Sequence, residues 1–329
     1  MKVVVLEDWN RLFPGRPGID RLRERAEVEI QHDKPADQAD LIARLRGAQV
    51  VVLNRERTRF DAAVIDALPA LELIVQTGGI SPNVDVAAAT ARGVAVTAGP
   101  GLPNSIEGVA ELALGLLLGL VRQIPAHDRD VRAGRWDVPP TPILNGGTLG
   151  IVGLGRLGKS LARMGQALQM HVIAAGPTLT AERATQSQVA FSTLDDLFPR
   201  VDAVFICTRL SDLTRGLVTR AHIASMKPSA YLVNVARGPI VDEDALIEAL
   251  QQRRIAGAGL DVFGREPLPT DHPLVSLDNV ILTPHIGWVT ERSCERFVET
   301  VSDAIIRYLD GDFSTVTNPG ALAARQATA

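Results

Sequence analysis

Short β-branched runs alternate with helical patterns from the first residues of this chain onward. KVVVLE (2–7), EVEI (27–30), VVVL (50–53), ELIVQT (72–77) and VAVTA (94–98) are separated by amphipathic stretches such as DQADLIARLRG and DAAVIDALPA. Runs that are apolar at nearly every position are buried on both faces. Strands of that kind sit in parallel sheets whose crossover helices cover them. The predicted class is therefore α/β.

The alternation is interrupted once. GPGLPNSIEG, after Ala98, leads into an apolar helix predicted from about Val109 to Ile124, and Asn104 with Glu107 has the spacing of a capping box. A second set of strands follows: LGIVGLG (149–155), HVIAA (171–175), DAVFICT (202–208), AYLVNVA (230–236), GAGLDV (257–262) and NVILTPH (279–285). Helices between them are signalled by RLGKSLARMGQAL, RAHIASM and DEDALIEALQQRR. Six parallel strands with helical crossovers make a complete dinucleotide-binding domain. The last helical stretch, ERSCERFVETVSDAIIRYL, comes too late to join that sheet and is expected to return to the first. The expected domains are 1–98 with 290–329, and 99–289, a division that suits 329 residues. The tail ALAARQATA is expected to fray.

Composition excludes several function classes. Net charge is −4 with no Lys/Arg block, which argues against a nucleic-acid partner. The longest apolar run, LALGLLLGLV (112–121), is about half the ~20 residues of a membrane span, so no membrane partner is expected. Two cysteines, Cys207 and Cys294, rule out a disulfide framework and fit a reducing compartment. MKVVVLEDW turns acidic too early for a signal peptide, and a cytoplasmic protein is expected.

Gly153, Gly155 and Gly158 form G-x-G-x-x-G directly after an apolar strand and before an amphipathic helix. The first glycine permits a tight turn, the second lets backbone approach a pyrophosphate, and the third allows close helix–strand packing. The amides near Arg156 and Leu157 then point at phosphates from the helix N-terminus. A glycine-rich turn without ligand gives the same pattern.

Three further motifs stand at the ends of later strands, where open α/β sheets place their ligands. LVNVARGPIVDEDAL carries Ala236 and Arg237, GLDVFGREPLP carries Asp261 and Glu266, and ILTPHIGW carries His285, Gly287 and Trp288. With these motifs in this order, the chain resembles the D-isomer-specific 2-hydroxyacid dehydrogenases over nearly its whole length, in their short form without a regulatory domain. The resemblance implies two hinge-connected, doubly wound parallel-sheet domains: a flavodoxin-like substrate domain and a Rossmann nucleotide-binding domain. It implies a catalytic triad of Arg237, Glu266 and His285, and a nicotinamide carboxamide held by Asp261. It also implies a homodimer formed through the nucleotide domain, with the helix at 109–124 contributing. Serine-type allosteric control is not expected.

The residue types suit the chemistry. Reduction of a 2-oxo acid needs a hydride at C2 and a proton at the carbonyl oxygen, and imidazole is the natural acid near neutrality. Glu266 beside His285 favours the imidazolium and orients the ring. Arg237 offers a planar fork to a carboxylate and steadies oxyanion charge. A strand-end histidine capped by a carboxylate and a loop-bridging arginine are the plain alternatives. On the substrate side, Gly78 and Gly79 expose amides that can receive a carboxylate. Arg55 and Arg57 fall where relatives carry arginines, although a solvated loop explains them nearly as well. Trp288 either lines the substrate pocket or packs. Where many relatives read His-x-Pro, this chain has Cys207-Thr208-Arg209. Cys207, lacking a histidine or metal-ligand neighbour, is expected beside the nicotinamide and not as a nucleophile. A nucleotide-sensing corepressor-type protein of the same family is the competing reading. An adenosylhomocysteine-hydrolase relative is disfavoured by the absence of that family's long substrate domain.

The strand HVIAA ends on Gly176, where dinucleotide-binding units usually place the acid that holds the ribose hydroxyls. Without it NADP(H) is not excluded. Thr178 and Thr180 offer neutral hydrogen bonds, and Arg183 lies a turn further on. The expected cofactor is NAD(H), with NADP(H) possible, and the expected substrate is a small 2-oxo or 2-hydroxy acid.

Overall fold

The computed structural model describes residues 1–54, 57–77, 83–98 and 105–328. The chain forms two compact units, Met1–Pro103 with Glu291–Ala329, and Asn104–Thr290.

The first unit opens with β1 (Lys2–Val5), α1 (Pro17–Arg23), β2 (Glu27–Ile30), α2 (Gln38–Arg44), β3 (Val50–Leu53), α3 (Ala62–Asp66), β4 (Leu73–Gln76), α4 (Val86–Ala91) and β5 (Ala95–Ala98). The strands pair in parallel in the order β2-β1-β3-β4-β5. Every side chain of β3 and β4 is buried, which is why those segments read as unbroken apolar runs. Asp37, Asp61 and Asp85 start α2, α3 and α4 by accepting an amide of the first turn.

The second unit contains α5 (Ser105–Val121), α6 (Ile124–Arg132), β6 (Thr148–Val152), α7 (Arg156–Ala167), β7 (His171–Ala175), α8 (Ala181–Gln186), β8 (Ala190–Phe191), α9 (Leu194–Leu197), β9 (Ala203–Ile206), α10 (Arg220–Ala224), β10 (Tyr231–Asn234), α11 (Glu243–Gln251), β11 (Gly257–Leu260) and β12 (Val280–Leu282). Its sheet is parallel in the order β12-β11-β10-β9-β6-β7-β8. Seven strands replace the expected six, because β8 is two exposed residues long and carries no apolar run. The chain leaves β6 for β7 on one side and reaches β9 on the other. The direction of winding therefore reverses at β6, and ligands of such sheets lie at that reversal.

The helix expected over 109–124 stops at Val121. Gln123 adopts the left-handed conformation (φ +50°) and Pro125 lacks an amide proton, so the chain bends by 61° into α6. The apolar positions of α5, including Ala113, Leu116, Leu117 and Leu120, are buried against the sheet and α7. No single helix among the described residues is long and apolar enough to cross a membrane.

In the first unit, α12 (Glu291–Leu309) lies along α1, close enough that a Cβ on Gly18 would sit 2.9 Å from the Ser302 hydroxyl. The following segment covers the free edge of β5. Asn318 accepts the Val96 amide at 2.7 Å and donates to the Val94 carbonyl at 3.0 Å. The tail expected to fray is instead helical, α13 (Gly320–Thr328), anchored by the fully buried Ala321 beside α4.

Candidate functional site

The glycine loop is built at the carboxyl end of β6. Gly153 has φ +102°, and a Cβ there would meet the Thr208 backbone at 2.7 Å, so no other residue fits. A Cβ on Gly158 would lie 2.1 Å from the Gly153 carbonyl, which lets α7 seat directly on the turn. Gly155 is different: nothing among the described residues lies within 4 Å of the Cβ position, and this open space is at the start of α7. The first amides of α7, on Arg156, Leu157 and Gly158, have no acceptor within their own helix and carry the positive end of its dipole. Exposed Arg156 and half-buried Leu157 flank that space. Room for an anion, free amides and an arginine suit the pyrophosphate of a dinucleotide.

Cys207 follows β9, and its thiol donates to the Gly153 carbonyl at 3.4 Å. Burial pushes this thiol up to about 12, so it stays protonated near neutrality and braces the glycine turn instead of attacking anything. The neighbouring Thr208 backbone crowds Gly153, which gives the Cys-Thr-Arg departure a packing role.

At the end of β7, Gly176 is not left-handed, and a Cβ on it would make only ordinary contacts, 3.7 Å from Gly153 and 4.0 Å from Leu179. An acid is sterically acceptable there; the chain simply lacks one. Thr180 caps α8, and the Arg183 guanidinium folds back to donate to the Thr178 carbonyl at 2.6 Å.

The remaining chemistry sits on β10, β11 and β12, which are adjacent. Asn234, the last residue of β10, is 2% exposed. It donates to the Arg237 carbonyl at 3.1 Å and accepts the Ala236 amide at 3.0 Å, pinning the turn that presents Arg237. The Arg237 guanidinium donates to the Ala236 carbonyl at 2.6 Å.

His285 follows β12 with φ +56°, a left-handed conformation that a non-glycine residue adopts only when held. Asp261 holds it. Asp261 is 1% exposed, and its carboxylate accepts from the Thr283 hydroxyl (2.6 Å) and the amides of Ile286 (2.8 Å) and Gly287 (2.9 Å). Burial pushes its carboxyl up, against the pull of those hydrogen bonds and of the His285 charge. Gly287 is trapped between this carboxylate and Val109, leaving 3.1 Å and 3.3 Å for a Cβ. Trp288 is 8% exposed and packed.

His285 Nδ1 lies 2.8 Å from Glu266 Oε2, while Glu266 Oε1 accepts the Phe263 amide at 3.0 Å. A protonated Nδ1 directed at the carboxylate leaves Nε2 for proton exchange with a ligand. Burial alone would raise the Glu266 carboxyl. The hydrogen bond and charge of His285, the Phe263 amide and the Arg237 charge outweigh burial and hold it below its ordinary value. This pair contributes stability that is fully present above pH 4.5 and is lost as pH falls through the lowered folded value. Wild type is expected to melt above Glu266→Gln at neutral pH, with the gap closing in thermal melts taken progressively below 4.5. A gap that widens on acidification would contradict the pairing.

Arg237, Glu266, His285, Asp261, Ala236, Cys207, Gly176 and the glycine loop thus share the carboxyl edge of one sheet. Arg55, Gly78 and Gly79, and Asn104 of the expected capping box, lie outside the described residues. Arg57 is described: it lies 4.2 Å over the Trp9 ring and donates to the Glu7 carbonyl at 2.6 Å. Asn234 was not singled out by sequence reasoning. Its signal was available, since an asparagine closing an otherwise apolar buried run requires internal partners.

The chain has known relatives. The family profile described as D-isomer specific 2-hydroxyacid dehydrogenase, NAD binding domain, matches residues 114–287. A glyoxylate reductase of Thermofilum pendens is 35% identical over 315 residues, covering 92% of this chain and 91% of its own. The crystal structure of a phosphoglycerate oxidoreductase from Vibrio cholerae superposes with TM-score 0.87 at 31% identity, covering 94% of this chain and 99% of its own. That of D-lactate dehydrogenase from Aquifex aeolicus, complexed with NAD and lactic acid, gives TM-score 0.74 at 25% identity, with 96% and 97% covered. These likenesses make the chain a member of the D-isomer-specific 2-hydroxyacid dehydrogenase family, with an NAD-binding Rossmann domain.

Proposed function

We propose that this protein interconverts a small 2-oxo acid and its D-2-hydroxy acid, with His285 as the proton donor and acceptor. The observation that carries the reading is the His285–Glu266 hydrogen bond at 2.8 Å, set on the same sheet edge as Arg237 and the glycine loop. Unit Asn104–Thr290 binds the dinucleotide. Gly153, Gly155, Arg156, Leu157 and Gly158 would hold the pyrophosphate, and a bound reduced nicotinamide supplies hydride to the substrate C2. His285 Nε2 gives its proton to the carbonyl oxygen as that oxygen becomes an alkoxide. Glu266 keeps Nδ1 bonded throughout and balances the imidazolium charge. Arg237 binds the substrate carboxylate and draws charge from the carbonyl. In the oxidative direction His285 Nε2 takes the hydroxyl proton. Asp261 maintains the His285 turn, and a carboxylate has about one acceptor site beyond its three bonds, available to a carboxamide. Ala236, Gly287 and Cys207 line the same edge. For Arg55, Gly78 and Gly79 the proposal rests on the family likeness.

The three relatives are named for different acids, so substrate identity requires a panel. Glyoxylate, pyruvate, glycerate-type and phosphoglycerate-type 2-oxo acids would each be offered with NADH and with NADPH. Turnover of one of them is the expected result. Tight nucleotide binding with no turnover across the panel would overturn the enzymatic reading in favour of a nucleotide-sensing role.

We also place a homodimer contact in this reading, at a different surface from the one the sequence suggested. Among the described positions of α5 the exposed ones are Glu107, Glu111 and Gly115, a poor apolar surface, because its apolar residues cover the sheet. Several exposed apolar groups instead lie in and after α6: Ile124, Val131, Trp136 (81% exposed), Val138 (82%) and Ile143. Light scattering is expected to give twice the 35.2 kDa chain mass, and Trp136→Glu with Val138→Glu to give a monomer. A dimer that survives both substitutions would exclude this surface.

A further inference from the structure

The residue after the N-cap of α11, Glu243, has no part in the proton path, yet its carboxylate reaches the loop that carries Glu266. Glu243 Oε1 accepts the Gly264 amide at 3.1 Å. A Cβ on Gly264 would lie 2.8 Å from Glu243 Oε2, so the glycine permits this contact. From the other side, a Cβ on Gly238, next to Arg237, would lie 2.0 Å from the Phe263 carbonyl carbon and 2.4 Å from the Gly264 nitrogen. The Phe263–Gly264 peptide is therefore clamped between the Arg237 turn and the start of α11. The same short segment supplies the Phe263 amide that fixes Glu266 Oε1, and Glu266 Oε2 fixes His285.

Glu243 is itself held. Asp242 caps α11 through the Ala245 amide at 2.9 Å. His272 Nδ1 accepts the Leu274 amide at 3.4 Å, which puts the ring proton on Nε2, 3.9 Å from Glu243 Oε2.

We propose that Glu243 is a positioning residue for the Glu266–His285 pair, acting through its hydrogen bond to the Gly264 amide. This rests on the dehydrogenase reading for its effect on turnover, but not for its effect on the pair itself. A carboxylate misplaced by a fraction of an ångström no longer aligns the imidazole, whereas the glycine loop on β6 is untouched.

The test compares Glu243→Ala, which removes the acceptor, with Glu243→Gln, which keeps an amide oxygen in its place. Gly264→Ala delivers the same lesion from the partner side. The primary readout is the downfield Nδ1 proton resonance of His285 in solution NMR, assigned by its loss in His285→Gln. It is expected to persist in Glu243→Gln and to broaden or vanish through solvent exchange in Glu243→Ala and Gly264→Ala. On the substrate that the panel identifies, kcat is expected to fall about 10- to 100-fold in those two variants. Dinucleotide affinity and the 2-oxo acid KM should stay within about twofold. An unchanged resonance in both disruptive variants would overturn the proposal, as would a Glu243→Gln protein as impaired as Glu243→Ala. Should Glu243→Ala not fold, Gly264→Ala decides by the same resonance. If wild type turns over no 2-oxo acid, the enzymatic reading fails while the resonance still decides the positioning role.

Discussion

His285→Gln is expected to lower kcat by about 10²- to 10⁴-fold, the range for loss of a positioned acid–base group. Glutamine can donate a hydrogen bond to a carbonyl oxygen but cannot pass it a proton, so the alkoxide must take one from water. Dinucleotide affinity should change by no more than about twofold, because β12 and β6 are separated by three strands. Fluorescence titration with the reduced cofactor and steady-state rates on one responsive acid separate the two effects. Normal turnover in this variant would remove His285 from the mechanism.

Gly176→Asp is expected to shift cofactor preference toward NADH by about 10²-fold or more. A carboxylate there would accept from the ribose hydroxyls, and a charge-assisted hydrogen bond contributes about 1.5–3 kcal/mol. It would also repel a 2′-phosphate, so the two changes act on the ratio in the same direction. The backbone permits the substitution: Gly176 has no left-handed φ, and its Cβ position meets nothing closer than 3.7 Å. The ratio of kcat/KM for NADH and NADPH, measured before and after, reads the shift. An unchanged ratio would mean that the β7 terminus does not receive the ribose.

Strands such as β3 and β9 were legible because burial at every position leaves no polar alternation to confuse them. Exposed β8 has no such signature, and its two residues form a strand only because β7 offers them a partner. The break before α6 turns on Gln123 adopting φ +50°, which no periodicity reveals. The tail was misread for a related reason: Ala and Gln favour helix, but only the Ala321 contact in the first unit shows that the segment is anchored. At the site, the motifs that carry Arg237, Glu266 and His285 stand out in the sequence by their order, and the structure puts all three residues at the ends of adjacent strands. The residues that hold them do not stand out. Asn234 and Glu243 act by bonding backbone amides and carbonyls of neighbouring turns, and such partners exist only once the strands are side by side. Asp261 stood out in the sequence as a ligand contact, whereas the structure gives its buried carboxylate three donors from the His285 turn.

Direct transfer between nicotinamide and substrate is the core of this assignment, and isotope labelling reaches it without any variant. Enzyme, a responsive 2-oxo acid and reduced cofactor deuterated at the transferable C4 position would be mixed for a single turnover, and the product resolved by chiral chromatography with mass detection. A D-configured 2-hydroxy acid carrying deuterium at C2 is the expected result. An unlabelled product, an L-configured one, or bound cofactor that keeps its deuterium indefinitely would contradict it.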